Sequence, residues 1–289
     1  MGLAADRRWR RAGAAGCGAG AGNSLRTMTR NASRGASVTS ISISVAVGIL
    51  TFGCGILGLL LQRLLPEQHM SSGSRDMIGA VIGLITLLLA LVLGTLVGSA
   101  YGFYATQKSE VETLAARAIE LDMALEQYGP ETRLMRAGMK IAMTRAYHTF
   151  WQGGDADPKE LAVEAGLPAL KAMTAAVGAL DPQTPIQKQL ISTIGFDSGF
   201  ILQTRLLMSL QLASPVSWPL LIVVVSWALL LFFGFGVLSR LNATSLAALG
   251  LGAFAVASAV FLILELNAPY TSLFRLPAAP IEQALKALG

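Results

Sequence analysis

The stretch AVFLILELNAPYTSLF, Ala259 to Phe274, closes a long apolar run with a single carboxylate, Glu265, and then a proline, Pro269. A lone carboxylate there can serve an ion pathway or a gate. It can equally mark a membrane boundary and pair with a basic residue such as Lys108. Few other residues are spaced for chemistry. Glu120 and Asp122 are two apart and cannot share a helix face, so they make a poor acid and base pair. His69 and His148 are the only histidines, and the topology derived below puts them on opposite sides of a membrane, so they cannot build one metal or catalytic centre. Cys17 lies in a basic tail and Cys54 in an apolar run, which gives neither a disulfide framework nor a thiolate zinc site. No Walker loop, H-E-x-x-H or G-x-S-x-G occurs in a suitable context. Catalysis is the least supported class, and no catalytic residue, metal ligand or cofactor is expected.

Two sets of glycines invite more specific readings. Gly53, Gly55 and Gly58 in GCGILG spell G-x-G-x-x-G, but that pattern binds a dinucleotide only on a turn between a strand and a helix, and no acidic ribose partner follows. Inside an apolar run the same glycines let helices pack closely. The second set is Gly79, Gly83, Ala90, Gly94, Gly98 and Gly102, whose steps put small residues along one face of a helix. Thr86, Thr95 and Ser99 add hydroxyls to that helix.

The elements that must carry these residues follow from composition. Hydrophobic residues make up 53% of the 289 and charged ones 13%, about half the charge of an ordinary soluble domain. The apolar residues fall in long blocks instead of amphipathic spacing, which predicts membrane helices. The net charge of +5 does not point to nucleic acid, because seven of the 22 Lys and Arg precede residue 35 beside one acid, Asp6. Such an arm suits an anionic lipid surface.

Residues 1–40 are rich in Arg, Gly, Ala and Ser and are expected to be disordered. A transit peptide, or translation from Met28, fits the same composition. The first span is expected from Ile41 to Leu61, about 20 residues, enough for ~30 Å of hydrocarbon. A polar hairpin, QRLLPEQHMSSGSRD, separates it from a long second span, Met77 to Tyr104. Residues 106–216 form the water-compatible unit; 106–214 hold ten Lys or Arg and twelve Asp or Glu. Within it Val111, Leu114, Ala118, Leu121 and Leu125 make one stripe on a helix continuing from span two. Tyr128 to Pro130 break that helix, and Glu131 to Trp151 is expected to return as another. A shorter helical segment, interrupted near Gly166 and Pro168, covers 159–180, and a long helix is expected from Ile186 to Leu212. The third span is Trp218 to Leu238. The fourth, capped by Asn242 or Thr244, runs from Ser245 to Leu264 and leaves Glu265 at its boundary. Arg26, Arg30, Arg34 and Lys108 near the membrane ends predict that both termini and the central unit are cytoplasmic.

Several blocks, RLLPEQHMSSGSRDMI, ALVLGTLVGSA, ETLAARAIELDMALEQYGPE, FFGFGVLSRLNAT and AVFLILELNAP, resemble the bestrophin-like family of membrane proteins in one order over nearly everything after residue 53. The resemblance implies a distant relationship to bestrophins, pentameric anion channels with four spans per subunit and a cytosolic helical domain between spans two and three. It also implies that span two lies nearest an ion pathway, which makes Gly94, Thr95, Gly98, Ser99 and Gly102 either pore-lining or a packing face. The chain departs from the family pattern at Tyr101 and Ala105, where Lys and Asp are usual, and at Asn267 and Ala268, where Asp and a polar or charged residue are preferred. The expected protein is all-α. It has a basic arm (1–40), a first transmembrane hairpin (41–105), a cytoplasmic helical bundle (106–216), a second hairpin (217–266) and a cytoplasmic tail (267–289). It is expected in the cell membrane as a homo-oligomer in contact with lipid and small anions, conducting as a channel or transporter. The competing expectation is a non-conducting scaffold whose bundle binds a partner.

Overall fold

The computed structural model describes residues 20–64, 72–152, 172–213, 218–270 and 272–289, and among these all regular structure is helical. Four helices are long and apolar enough to cross a membrane. The first, α1, runs Gly20–Leu64. It therefore begins inside the basic arm and takes in residues 20–40. That stretch has no proline, and extending an existing helix costs far less than nucleating one. Residues 1–19 lie outside the described residues, as do His69, the centre of the first polar hairpin and most of the segment expected over 159–180.

The second helix, α2, is a single rod, Ser72–Tyr128, of 57 residues, or roughly 85 Å at the α-helical rise. Its membrane half is apolar all round, and its lower half is amphipathic. One buried stripe runs through both: Ile82, Leu89 and Ala100, then Val111, Ala115, Ala118, Leu121 and Leu125. A stripe that keeps helical register across the membrane boundary leaves no reason for a break. The break comes at Gly129, whose φ of 136° is a conformation side-chain-bearing residues avoid. Pro130–Thr132 form a tight turn there, held by the Thr132 hydroxyl donating to the Leu125 carbonyl.

The return helix α3 is Arg133–Tyr147, followed by a wide turn over His148–Gln152. The long α4, Pro185–Ala213, runs back along α2. Two more spans follow, α5 (Trp218–Leu238) and α6 (Ala243–Leu266), and a short α7 (Ala279–Ala287) ends the fold. Asn242 does occupy the N-cap position of α6, but its side chain makes no capping bond.

In the membrane half, α1 lies against α5 and α6 over a core that includes Val47, Leu59, Val224, Ala228, Phe232, Ala253 and Val260. Glycine sets the α1–α5 approach. A Cβ on Gly58 would collide with the Phe233 carbonyl and sit 2.9 Å from the Val237 nitrogen, and one on Gly236 would meet Gly55 and Gly58 backbone. The close-packing reading of Gly55 and Gly58 holds, whereas Gly53 faces open space.

Beneath it, α2, α3, α4 and α7 form the polar bundle. Asp122 accepts a two-pronged bond from Arg136, both contacts 2.7 Å. The segment expected as the C-terminal tail packs on this bundle. Leu276, Ile281, Ala284 and Leu288 are buried against Val111, Ala115 and Phe150. The Trp151 indole N–H donates to the Leu276 carbonyl at 2.9 Å, and the Tyr147 hydroxyl to Glu282 at 2.7 Å.

Candidate functional site

Through the membrane α2 is covered on one side only. Leu89, Ala100 and their neighbours Leu93, Leu96 and Val97 pack on α5 and α6. Gly94, Thr95, Gly98, Ser99 and Gly102 are exposed on the other side. A Cβ added to Gly79, Gly83, Gly94, Gly98 or Gly102 would touch nothing within 4 Å. Among the described residues the glycines of this stripe therefore make no helix contact. Leu84, Leu87 and Leu91, 59%, 72% and 65% exposed, fall on the same open side at about 100° per residue.

The hydroxyls on this helix differ. Thr86 donates to the Ile82 carbonyl at 2.8 Å and Thr95 to the Val92 carbonyl at 2.9 Å. Both protons are thereby committed to the backbone of α2. Ser99 has no hydrogen-bond partner among the described residues, so its proton is free for a passing acceptor.

Glu265 is not on that surface. It sits in the last turn of α6, 1% exposed, and accepts the Leu273 backbone N–H. The adjacent Asn267 amide donates to the Ile263 carbonyl at 2.7 Å. Together they close the end of α6 onto the segment that follows it. The expected pairing with Lys108 does not form: Lys108 faces Glu112 at 3.9 Å, with both side chains half-exposed. A backbone donor on the segment just past the helix end reaches the carboxylate with less loss of side-chain freedom than a long lysine on another helix.

Just below the spans, on the covered side of α2, lies a polar floor. Gln107 is fully buried, and its amide donates to Glu110 at 3.1 Å and to Gln211. The Gln211 amide returns a bond to Glu110 at 3.0 Å, and the Tyr270 hydroxyl donates to Gln107 at 3.3 Å. This ties α2, α4 and the segment after α6 together just below the spans. Burial pushes the Glu110 carboxyl up, partly offset by the Gln211 bond. Burial likewise raises the Tyr270 phenol, and the nearby Glu110 charge adds to it. Deeper in the bundle Arg117 bonds the buried Asp197 at 3.1 Å and lies over Phe200, 4.9 Å from the ring centre. Burial raises the Asp197 carboxyl, and the Arg117 charge opposes the rise. Sequence reasoning missed these groups because their members are far apart in the chain. One signal was present, since Gln107 stands in the buried register four residues before Val111.

Beside the floor a groove of about 570 Å3 is lined by Tyr101, Tyr104, Ala105, Lys108, Ser109, Glu112, Arg275 and Pro277. Both departures from the family pattern on α2, Tyr101 and Ala105, line it. Among the described residues no group of three or more His, Cys, Asp or Glu converges to hold a metal ion.

A family model described as a Bestrophin-like domain matches residues 49–281. The chain belongs to the bestrophin-like family. Solved bestrophin homologues share its fold. Two structures of a bacterial bestrophin homologue from Klebsiella pneumoniae, each carrying a different point mutation, superimpose with TM-scores of 0.58 and 0.59 at 15% identity. Each superposition covers 85% of this chain, and 97% and 98% of the other. A third structure, described as a membrane protein with a single substitution, gives a TM-score of 0.58 at 16% identity over 86% of this chain and 97% of that one. None of the curated proteins compared with the chain matches it. In this bestrophin-like protein, then, the fold brings Gly94, Thr95, Gly98, Ser99 and Gly102 of α2 onto one uncovered surface, and sets Glu265 apart from it.

Proposed function

We propose that this bestrophin-like protein is a homo-oligomeric channel or transporter for small anions, with the open faces of α2 from several subunits surrounding the path. The observation that carries the reading is the uncovered glycine face of α2, in a helix whose other side packs on α5 and α6. An apolar rod roughly 40 Å long, enclosed on one side only, needs either lipid or further copies of itself. Small residues with hydroxyls suit a path between copies better than a lipid-facing surface, which gains more from larger apolar side chains. The resemblance to bestrophins supplies the ion class, and the free Ser99 hydroxyl is a donor that an anion can use. Arginines near the membrane ends support a cell-membrane protein with both termini and the bundle in the cytoplasm.

Purified protein in detergent should run as one defined oligomer, and vesicles containing it should release chloride. A monomer that passes no ion would overturn the channel reading and favour a scaffold whose bundle docks a partner.

A further inference from the structure

The groove beside Lys108 lies at a particular depth. Ile263 and Leu266 at the end of α6 pack on Ala100 and Tyr104 of α2, so the apolar spans end near Tyr104. Lys108 is four residues on, roughly 6 Å further along the helix axis. That is where phospholipid headgroups meet a transmembrane helix, outside the hydrocarbon and within the polar layer.

The opposite wall is the segment between α6 and α7. It is firmly held: the Leu276 N–H donates to the Pro269 carbonyl at 3.0 Å, the Ser272 N–H to the Ala268 carbonyl at 2.9 Å, and the Leu276 carbonyl accepts the Trp151 indole. The segment nevertheless turns large apolar side chains outward, Leu273 at 76% and Phe274 at 44% exposed, and follows them at once with Arg275. Exposed apolar residues next to a cation are how a chain anchors in a membrane interface. Among the described residues Arg275 makes no ion pair or hydrogen bond. Across the groove Lys108 has only the long, half-exposed contact to Glu112. Tyr101, Tyr104 and Ser109 add hydroxyls.

We infer that this groove binds the phosphate headgroup of an anionic phospholipid from the leaflet on the bundle side, between Lys108 and Arg275, with Leu273 and Phe274 seated among its acyl chains. The fixed backbone and the guanidinium without a carboxylate make a preformed anion seat, and the flanking apolar pair selects a lipid over a soluble phosphate ester. The inference needs the membrane placement of the helices but not conduction. Ala105, Ser109 and Glu112 continue the register of Gly94, Gly98 and Gly102, so the lipid occupies the lower edge of the face that the channel reading gives to other subunits. Oligomer size must therefore be read beside lipid count.

The test uses the full-length protein in detergent, titrated with phosphatidylglycerol or phosphatidylcholine, with bound lipid per subunit counted by native mass spectrometry. Phosphatidylglycerol should bind about tenfold more tightly than phosphatidylcholine, and the double variant K108Q/R275Q should lose that preference, as expected when two cations near a surface are removed. The charge-preserving K108R/R275K should restore it, which separates headgroup binding from misfolding. Glycerol phosphate at matched concentration should not displace the lipid. Equal phosphatidylglycerol counts on wild type and K108Q/R275Q would overturn the proposal. So would displacement by glycerol phosphate, which assigns the seat to a soluble anion. A change of oligomer size in the double variant without loss of lipid would also overturn it, by making the groove a subunit contact.

Discussion

Two glycine surfaces in the same membrane half have opposite fates. On α1 and α5, Gly58 and Gly236 meet backbone to backbone, and no added atom fits between them. On α2, Gly94, Gly98 and Gly102 meet nothing among the described residues. Both sets lie inside apolar helices, so residue type and hydropathy carry the same message for each. What separates them is the partner. The first pair has one within the chain, and the second has none among the described residues. Glycine in a membrane helix thus marks a place where something comes close without saying whether that is a neighbouring helix, another subunit or water.

The largest expected effect tests the closed surface. Gly58→Leu forces a side chain into the Phe233 and Val237 backbone, and overpacking of that kind costs about 3 kcal/mol. Extraction in mild detergent should yield aggregated protein by size-exclusion chromatography. A monodisperse protein with a wild-type melting curve would mean that the crossing is looser than the contacts indicate.

Gly98→Leu tests the open surface and should leave folding intact, since a side chain there meets only empty space within the subunit. Chloride efflux from vesicles should fall by about tenfold or more through narrowing and dewetting of the path, while the oligomer persists. Loss of the oligomer instead would make the face a packing surface and erase its difference from Gly58.

A smaller effect reads the polar floor below the spans. The Glu110 carboxyl holds its proton more tightly in the fold than in the unfolded chain, because burial disfavours its charge. Its contribution to stability is therefore complete below the ordinary carboxylate value of 4.5 and is lost as pH rises through the raised folded value. Melting temperature in detergent should decline over that interval, and Glu110→Gln, which mimics the protonated form, should flatten the decline. An unchanged slope in the variant would show that another group is responsible.

Ser99→Ala is expected to give the smallest change. Chloride efflux should drop about two- to fivefold, in keeping with loss of one hydrogen bond worth about 0.5–1 kcal/mol, and thermal stability should not move. Thr95→Val should do less still, because its proton is already bound to Val92. A larger loss at Thr95 than at Ser99 would reverse the assignment of the donating hydroxyl.

Much of the architecture was legible because it is written in local periodicity. The spans over Trp218–Leu238 and around Ala243–Leu266 are visible as unbroken apolar runs. The stripe Val111, Leu114, Ala118, Leu121, Leu125 foretells that α2 continues out of the membrane; Leu114 is partly buried and the other four are 5% exposed or less. The break at Gly129 and Pro130 is equally local. The site was less legible. The steps of Gly94, Gly98 and Gly102 identify a face but not its occupant. Glu265 suggests a distant lysine, whereas the backbone N–H of Leu273, on the segment after the helix, satisfies it. Gln107 and Gln211, 104 residues apart, belong to one network that no window along the chain can contain. The docking of residues 276–288 was hidden for the same reason.

By itself the sequence determined that this is a helical membrane protein with four spans and a polar bundle between the second and third. Hydrocarbon accepts only backbone that satisfies its own hydrogen bonds, so length and hydropathy along the chain suffice to say where helices cross. Only the tertiary structure decided which glycines are used up within the subunit, which carboxylates are enclosed, and that Arg275 stands across a groove from Lys108. Those outcomes depend on distances between residues remote in the chain, and in a membrane the apolar surface of one helix is as acceptable to lipid as to another helix. Composition therefore cannot select the partner, and shape must.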